Sequence, residues 1–243
     1  MPRATTLRKQ QPNSAALSYP QTKVLLESSE LNHDKYPPVP DHIQPHLDIL
    51  FCGINPGLIS SIRGHHYAHP GNRFWPTASN AGLFHGDILT AEQDYLLPMN
   101  YNLGLTNIVA RPSKAQTDLS KDEIKQGGQV LGEKVQRFKP KVLCFVGKGI
   151  YEVYTGKKCP SLGWQPNDAI LWTCKESRSY SKKEKEDVKV DHFCGKTEVF
   201  VVRSTSGLAC RWNEDNLELF KQLQKFTGDI VASNAKYRIL NAT

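Results

Sequence analysis

No stretch of the chain approaches 18 consecutive apolar residues, so a membrane-spanning helix is not expected. None of the six cysteines forms a Cys-x-x-Cys pair, and two of them sit in apolar strand-like runs. They read as reduced thiols of an intracellular protein rather than a disulfide framework. A zinc site drawn from Cys159, Cys174, His192 and Cys194 would need a spacing that fits no usual pattern, so no metal is expected. The glycine-rich turns never assemble the GxGxxG spacing of a dinucleotide site, and no Gly-Lys-Ser or Gly-Lys-Thr ends a phosphate loop, so no nucleotide cofactor is expected. No internal repeat is visible, which argues against a solenoid. The first nine residues carry basic groups with no apolar segment behind them and do not read as a secretory leader.

What is present is a chain of 243 residues, 39% apolar and 23% charged, with a formal charge of +7. That length can hold one substantial core with appendages. The positive charge is compatible with a polyanionic partner without identifying one. Residues 1 to 38 mix Ser, Gln, Asn, Pro and scattered basic residues and read as a flexible tail. A single domain is expected over residues 39 to 230, with a charged insertion near 175 to 196 and a C-terminal tail over 231 to 243.

Within that domain, short apolar runs alternate with helical patterns. Leu47 to Cys52, Gly104 to Val109, Val142 to Val146, Ala169 to Trp172 and Val199 to Val202 read as strands. Helices are expected over Asn72 to Ala81 with Gly82 behind it, over Thr90 to Pro98, from a Ser120 capping box to Pro140, over Ile150 to Tyr154, and over Trp212 to Phe226. Gly127-Gly128 is a weak point inside the third of these, and Gly53 to Gly71 reads as a long loop. This order predicts a three-layer α/β/α domain with a mostly parallel central sheet.

Loops leave the C-terminal ends of apolar runs at Gly53, Gly147 and Arg203, and in such a sheet they would line one pocket. The first is the richest in polar chemistry. Asn55 offers an amide that can accept from and donate to water, though it is no strong base; equally, it is a common turn residue before a proline. Phe74 and Trp75 could flank a pocket or fill the core, Ser206-Gly207-Leu208 could simply lead into a helix, and Arg203 and Arg211 could be ordinary surface arginines.

Six segments, in order, carry a closer likeness. They are Gly53-Ile54-Asn55-Pro56-Gly57, Gly64-His65-His66-Tyr67, Pro70-Gly71-Asn72-Arg73-Phe74-Trp75, Gly104 to Pro112, Leu119 to Leu131, and Ser206-Gly207-Leu208. Together they resemble the mismatch-specific uracil/thymine-DNA glycosylases, a branch of the uracil-DNA glycosylase superfamily. The resemblance implies a uracil-DNA glycosylase-like fold and a monofunctional enzyme. Such an enzyme hydrolyses the N-glycosidic bond of uracil, or of thymine or other altered pyrimidines, opposite guanine in base excision repair. Asn55 then matches the residue that positions the hydrolytic water. Phe74 matches the aromatic that stacks on the flipped base, Ile54 and Tyr67 lie where the base pocket is walled, and Asn72 matches a polar pocket position. Leu208 matches the apolar wedge that enters the duplex, with Ser206 and Gly207 in its loop and Arg203 and Arg211 placed for phosphates or the orphaned guanine. No lysine matches a Schiff-base nucleophile, so no β-lyase step is implied.

The chain departs from the family pattern around the wedge. Thr205 stands where a proline is common, Ser204 replaces Asn or Met, and the following arginine falls one place late, at Arg211. The implied partner is double-stranded DNA carrying G·U or G·T mismatches, bound by a monomer with no cofactor, and the implied location is the nucleus of an organism that has one. A non-catalytic binder of mismatched or damaged DNA on the same scaffold is the alternative.

Overall fold

The computed structural model describes residues 36–174, 192–207 and 214–240. Four strands form the parallel centre of the sheet: β1 (Ile49–Gly53), β2 (Leu103–Asn107), β3 (Val142–Val146) and, later in the chain, β6 (His192–Val202). Each of the first three is buried along its whole length, because helices cover both faces of the sheet. The order across the sheet is β2-β1-β3-β6-β4, with β4 (Gly163–Trp164) antiparallel to β6 at the far edge. The antiparallel β5 (Ile170–Cys174) pairs with the first part of β6. The chain runs from β1 to β2 on one side and then to β3 on the other. The C-terminal ends of β1 and β3 are therefore the topological switch where open α/β sheets bind ligands.

Side chains on successive strand residues enter two separate cores, as a period of two requires. Ile49, Phe51, Cys144, Phe200 and Val202 pack under α2 (Phe74–Asn80) and α6 (Glu214–Leu240) through Phe74, Ala78, Phe220 and Leu223. Leu50, Cys52, Leu143, Phe145 and Val201 pack under α4 (Lys121–Phe138) and α5 (Lys148–Thr155) through Leu131, Val135, Ile150 and Tyr151. The expected three-layer arrangement is thus observed.

The segment read as one helix over Thr90 to Pro98 is a 3-10 helix (Ala91–Leu96) followed by the short α3 (Leu97–Tyr101), and the strand read over Gly104 to Val109 ends at Asn107. Larger differences from expectation lie at three places. The segment read as a continuous loop after β1 contains α1 (Leu58–Arg63), whose Leu58 and Ile59 are buried and which Gly64 ends in the left-handed conformation. Six residues are too few to display a helical repeat. The closing helix does not stop at Phe226 but runs on to Leu240. Strand β6 spans His192–Val202, so residues 192–196, at the end of the expected insertion, are strand; residues 175–191 lie outside the described residues. The expected tail over residues 1–38 falls almost wholly outside them too.

Helix α4 starts as its capping box predicts. Glu123 N–H donates to Ser120 Oγ at 3.1 Å, and Ser120 N–H donates to the Glu123 carboxylate at 2.9 Å. Its glycine pair has unequal roles. A Cβ on Gly127 would lie 2.3 Å from the Ile108 carbonyl oxygen, so the helix can approach the loop after β2 only because that Cβ is missing. A Cβ on Gly128 would meet nothing closer than the Tyr154 ring at 3.7 Å. The two Ala substitutions should have opposite signs. Gly128→Ala should gain up to about 1 kcal/mol from helix propensity. Gly127→Ala should lose about 1–3 kcal/mol from overpacking against backbone that cannot yield. Urea unfolding midpoints of the two variants check this; equal shifts would remove the close-approach explanation.

Candidate functional site

At the C-terminal ends of the parallel strands the connecting loops enclose a cavity of about 1170 Å³. The loops after β1, β3 and β6 all line it, through Gly53–Gly57, Gly147–Ile150 and Arg203–Gly207, as the sequence predicts. Of the expected site residues, Ile54, Asn55, Tyr67, Asn72, Arg203, Ser206 and Gly207 are brought together around this one space. Leu208 and Arg211 lie outside the described residues.

The Asn55 side chain is oriented by its neighbours. Its Nδ2 donates to the Arg111 carbonyl oxygen at 2.9 Å and to Ser113 Oγ at 2.8 Å. A carbonyl oxygen can only accept, so the amide cannot be flipped. Both N–H bonds are committed, and Oδ1 is left as the acceptor of a residue lining the cavity. Ser113 is itself buried and donates to the Ala115 carbonyl at 2.7 Å. The backbone beneath is stitched strand-fashion. Ile108, Val109 and Ser113 N–H groups donate to the carbonyls of Gly53, Ile54 and Pro56 at 3.0, 2.8 and 3.1 Å.

The aromatic wall differs from the expectation. Phe74 is wholly buried in the core and is not among the residues lining the cavity. Tyr67 lines it instead, with Phe74 stacked behind at 4.2 Å between centroids and 14° between planes. Phe74 is held in turn by edge contacts to Phe51, Trp75 and Phe220. The residue opening α2 faces inward to fill the sheet–helix space, so the aromatic exposed to a ligand is the one in the preceding loop. Asn72 serves partly as structure: its Oδ1 accepts from Phe74 N–H at 2.9 Å, a local turn that leads into α2.

Tyr67 sits at φ +54°, a left-handed conformation uncommon for a residue of its size. Its hydroxyl is buried with no hydrogen-bond partner among the described residues, and burial, with buried Cys52 and Cys144 nearby, holds its pKa well above the ordinary value. The backbone here is braced from one side by Asp94, a wholly buried carboxylate. Asp94 accepts from His66 N–H at 2.9 Å and from His65 Nδ1–H at 3.0 Å, and His42 Nε2 lies 3.2 Å away. On the other side, His66 Nε2–H donates to the Pro40 carbonyl at 2.9 Å, and Trp75 Nε1–H donates to the His66 carbonyl at 3.0 Å.

Sequence reasoning missed Asn107. It ends β2, is nearly buried, and lines the cavity floor. A Cβ on Gly53 would lie 2.5 Å from its Oδ1, so the bare backbone of Gly53 makes room for this amide. The signal was available: a polar residue at the carboxyl end of a parallel strand next to the switch point. Lys114 and Lys148, both exposed, also line the cavity.

Burial alone would raise the Asp94 pKa, but the His42 and His65 side chains and the His66 N–H outweigh it and hold the carboxyl well below the ordinary range. A carboxyl whose folded pKa is depressed contributes stability above its unfolded value, near 4, and loses that contribution as pH falls below it. Thermal melts between pH 5 and pH 3 should therefore show a steeper acid loss in the native protein than in Asp94→Asn. Parallel slopes would remove Asp94 as a source of acid sensitivity.

The profile of the uracil DNA glycosylase superfamily matches residues 40–226. A G/U mismatch-specific uracil DNA glycosylase of Schizosaccharomyces pombe is 44% identical over 140 residues, which take in 53% of this chain and 42% of that protein. The chain thus spans under half the length of this curated relative. The solution NMR structure of a Methanosarcina acetivorans protein, provisionally called a uracil DNA glycosylase, aligns at 16% identity and a TM-score of 0.45, covering 78% of this chain and 98% of that one. The profile match runs from the approach to β1 into α6 and so includes the parallel sheet and the loops after β1, β2, β3 and β6. The chain belongs to the uracil DNA glycosylase superfamily.

Proposed function

We propose that this chain is a monofunctional DNA glycosylase that releases uracil, and by extension thymine, lying opposite guanine in duplex DNA. The observation that carries the reading is the Asn55 amide, locked by the Arg111 carbonyl and Ser113 Oγ so that Oδ1 is the acceptor of a cavity-lining side chain. An acceptor so held can orient a water against the anomeric carbon but can barely take its proton. Bond breaking therefore runs ahead of attack. The C1′–N1 bond breaks with its electron pair departing on the base, the sugar becomes oxocarbenium-like, and the water oxygen bonds to C1′ as its proton passes to solvent or base. Donors that stabilise the anionic base lower the barrier most. The backbone near Ile54 and Tyr67 and the Asn107 amide are the groups this reading assigns to that task.

A base must leave the stack to reach this cavity, at a cost of a few kcal/mol that a mismatch reduces. Tyr67 offers it a stacking face. Lys114, Lys148 and Arg203 are the cations set around the opening for the phosphates. The relative of Schizosaccharomyces pombe, named for G/U mismatches, supports the choice of base and of opposing guanine. Nuclear base excision repair follows as the setting if the organism has a nucleus.

The test is base release from a G·U oligonucleotide, read as alkali-labile strand scission. The native protein should cleave, and Asn55→Ala should lose about a hundredfold or more in single-turnover rate while still binding the duplex. Binding without any cleavage by the native protein would leave a mismatched-DNA binder instead. The two aromatics should separate in the same assay. Tyr67→Ala should lose base release with a small change in melting temperature, whereas Phe74→Ala should cost about 3–5 kcal/mol of stability from the core. The reverse pattern would return the stacking role to Phe74.

A further inference from the structure

Arg111 supplies Asn55 with a backbone acceptor, and its own side chain is tied elsewhere. Its Nε donates to Glu123 Oε1 at 2.6 Å and its Nη2 to Glu123 Oε2 at 3.1 Å, a bidentate pair, while Nη2 also donates to the Asp118 carbonyl at 2.9 Å. The same Glu123 Oε2 accepts Ser120 N–H at 2.9 Å at the start of α4. One carboxylate thus joins the first turn of α4 to the residue whose carbonyl fixes the Asn55 amide. The Arg111 guanidinium beside Glu123, with the Ser120 N–H, holds that carboxyl down at about 2, so the pair stays charged at any working pH.

We propose that Arg111 and Glu123 form a positioning clamp for the Asn55 amide, setting the angle at which Oδ1 meets the attacking water. The inference rests on the glycosylase reading above. The physical reason is geometric. Isolated surface ion pairs contribute little to stability, but a bidentate arginine–carboxylate pair fixes orientation as well as distance. The segment it ties down touches Asn55 directly, through the Arg111 peptide carbonyl, and the guanidinium is held at three points, two on Glu123 and one on the Asp118 carbonyl. Gly127 brings α4 against the same segment at Ile108, so the clamp acts from a helix already seated there. A small rotation of the 111 peptide would tilt both Nδ2 donors and with them Oδ1, and misplacement on the order of 1 Å costs up to about a hundredfold in rate.

Three variants distinguish positioning from helix capping and from DNA contact. Glutamine can still cap, so Glu123→Gln keeps the capping box but removes the ionic clamp. Arg111→Ala removes the guanidinium and leaves the peptide carbonyl in place. Ser120→Ala weakens the cap alone, at about 1 kcal/mol of stability. On a G·U duplex, Glu123→Gln and Arg111→Ala are expected to lower the single-turnover rate by about ten- to a hundredfold with Kd for the duplex within twofold of native. Their double mutant should be no slower than Arg111→Ala alone, as coupled residues require. Ser120→Ala should lower melting temperature while keeping the native rate.

The clamp falls if both single variants keep the native rate, if their loss is in Kd, if Ser120→Ala loses rate equally, or if the two losses multiply. Native protein and Asn55→Ala run alongside. If native protein cleaves and Asn55→Ala does not, the glycosylase reading stands whatever the clamp variants do.

Discussion

The site depends on two chain segments running side by side beyond the end of the sheet. Strands β1 and β2 are parallel and in register through Gly53 and Asn107, and their pairing continues past both ends through backbone hydrogen bonds. Parallel neighbours normally diverge into their crossover connections. Here they stay joined as far as Pro56 and Ser113, and Asn55 lies inside that joined stretch. The carbonyls on either side of it, of Ile54 and Pro56, accept ladder-like bonds, and its side chain is fixed across the seam by Arg111 and Ser113. An amide can direct a bound water only if its own direction is held. The extended seam and the packing of α4 against it meet that need with ordinary peptide geometry.

The aromatic side of the cavity is ordered by the opposite means. Its loop is not paired to a strand but is gripped by polar groups on one face and stacked on the core by the other. Asp94 takes the His66 N–H and the His65 ring, while Phe74 backs Tyr67 with a nearly parallel ring. Burying a carboxylate is costly unless its partners satisfy it. That cost is accepted beside a residue with left-handed backbone, where local strain has to be over-determined to persist.

Much of this could be read in the sequence, for a physical reason. Strands buried on both faces are continuous apolar runs, and β1 and β3 stood out as such. The polar loop after β1 announced the site because it follows such a run with Asn-Pro-Gly. Ser120 and Glu123 announced the start of α4, but only as a cap; that Glu123 also holds Arg111 depends on two loops meeting in space. Phe74 and Tyr67 share one stretch of sequence, and nothing in their spacing tells which ring faces the core. Helix α1 was hidden by its shortness. Asn107 was hidden because its neighbours Ile108 and Val109 extend the apolar run past the end of the strand.

One contact between loops has a consequence for how such a site can vary. Gly207 lies against the backbone of Gly71, where a Cβ would fall 2.7 Å from the Gly71 carbonyl oxygen, and Arg73 N–H donates to the Thr205 carbonyl at 2.9 Å. The loop after β6 and the loop carrying Asn72 are therefore a single mechanical piece, although more than a hundred residues of chain separate them. Sequence change in one is constrained by the shape of the other. A lineage, or a combinatorial library, that altered residues 204–207 alone would explore mostly broken combinations, and new specificities should arise from paired changes on both sides of that glycine contact.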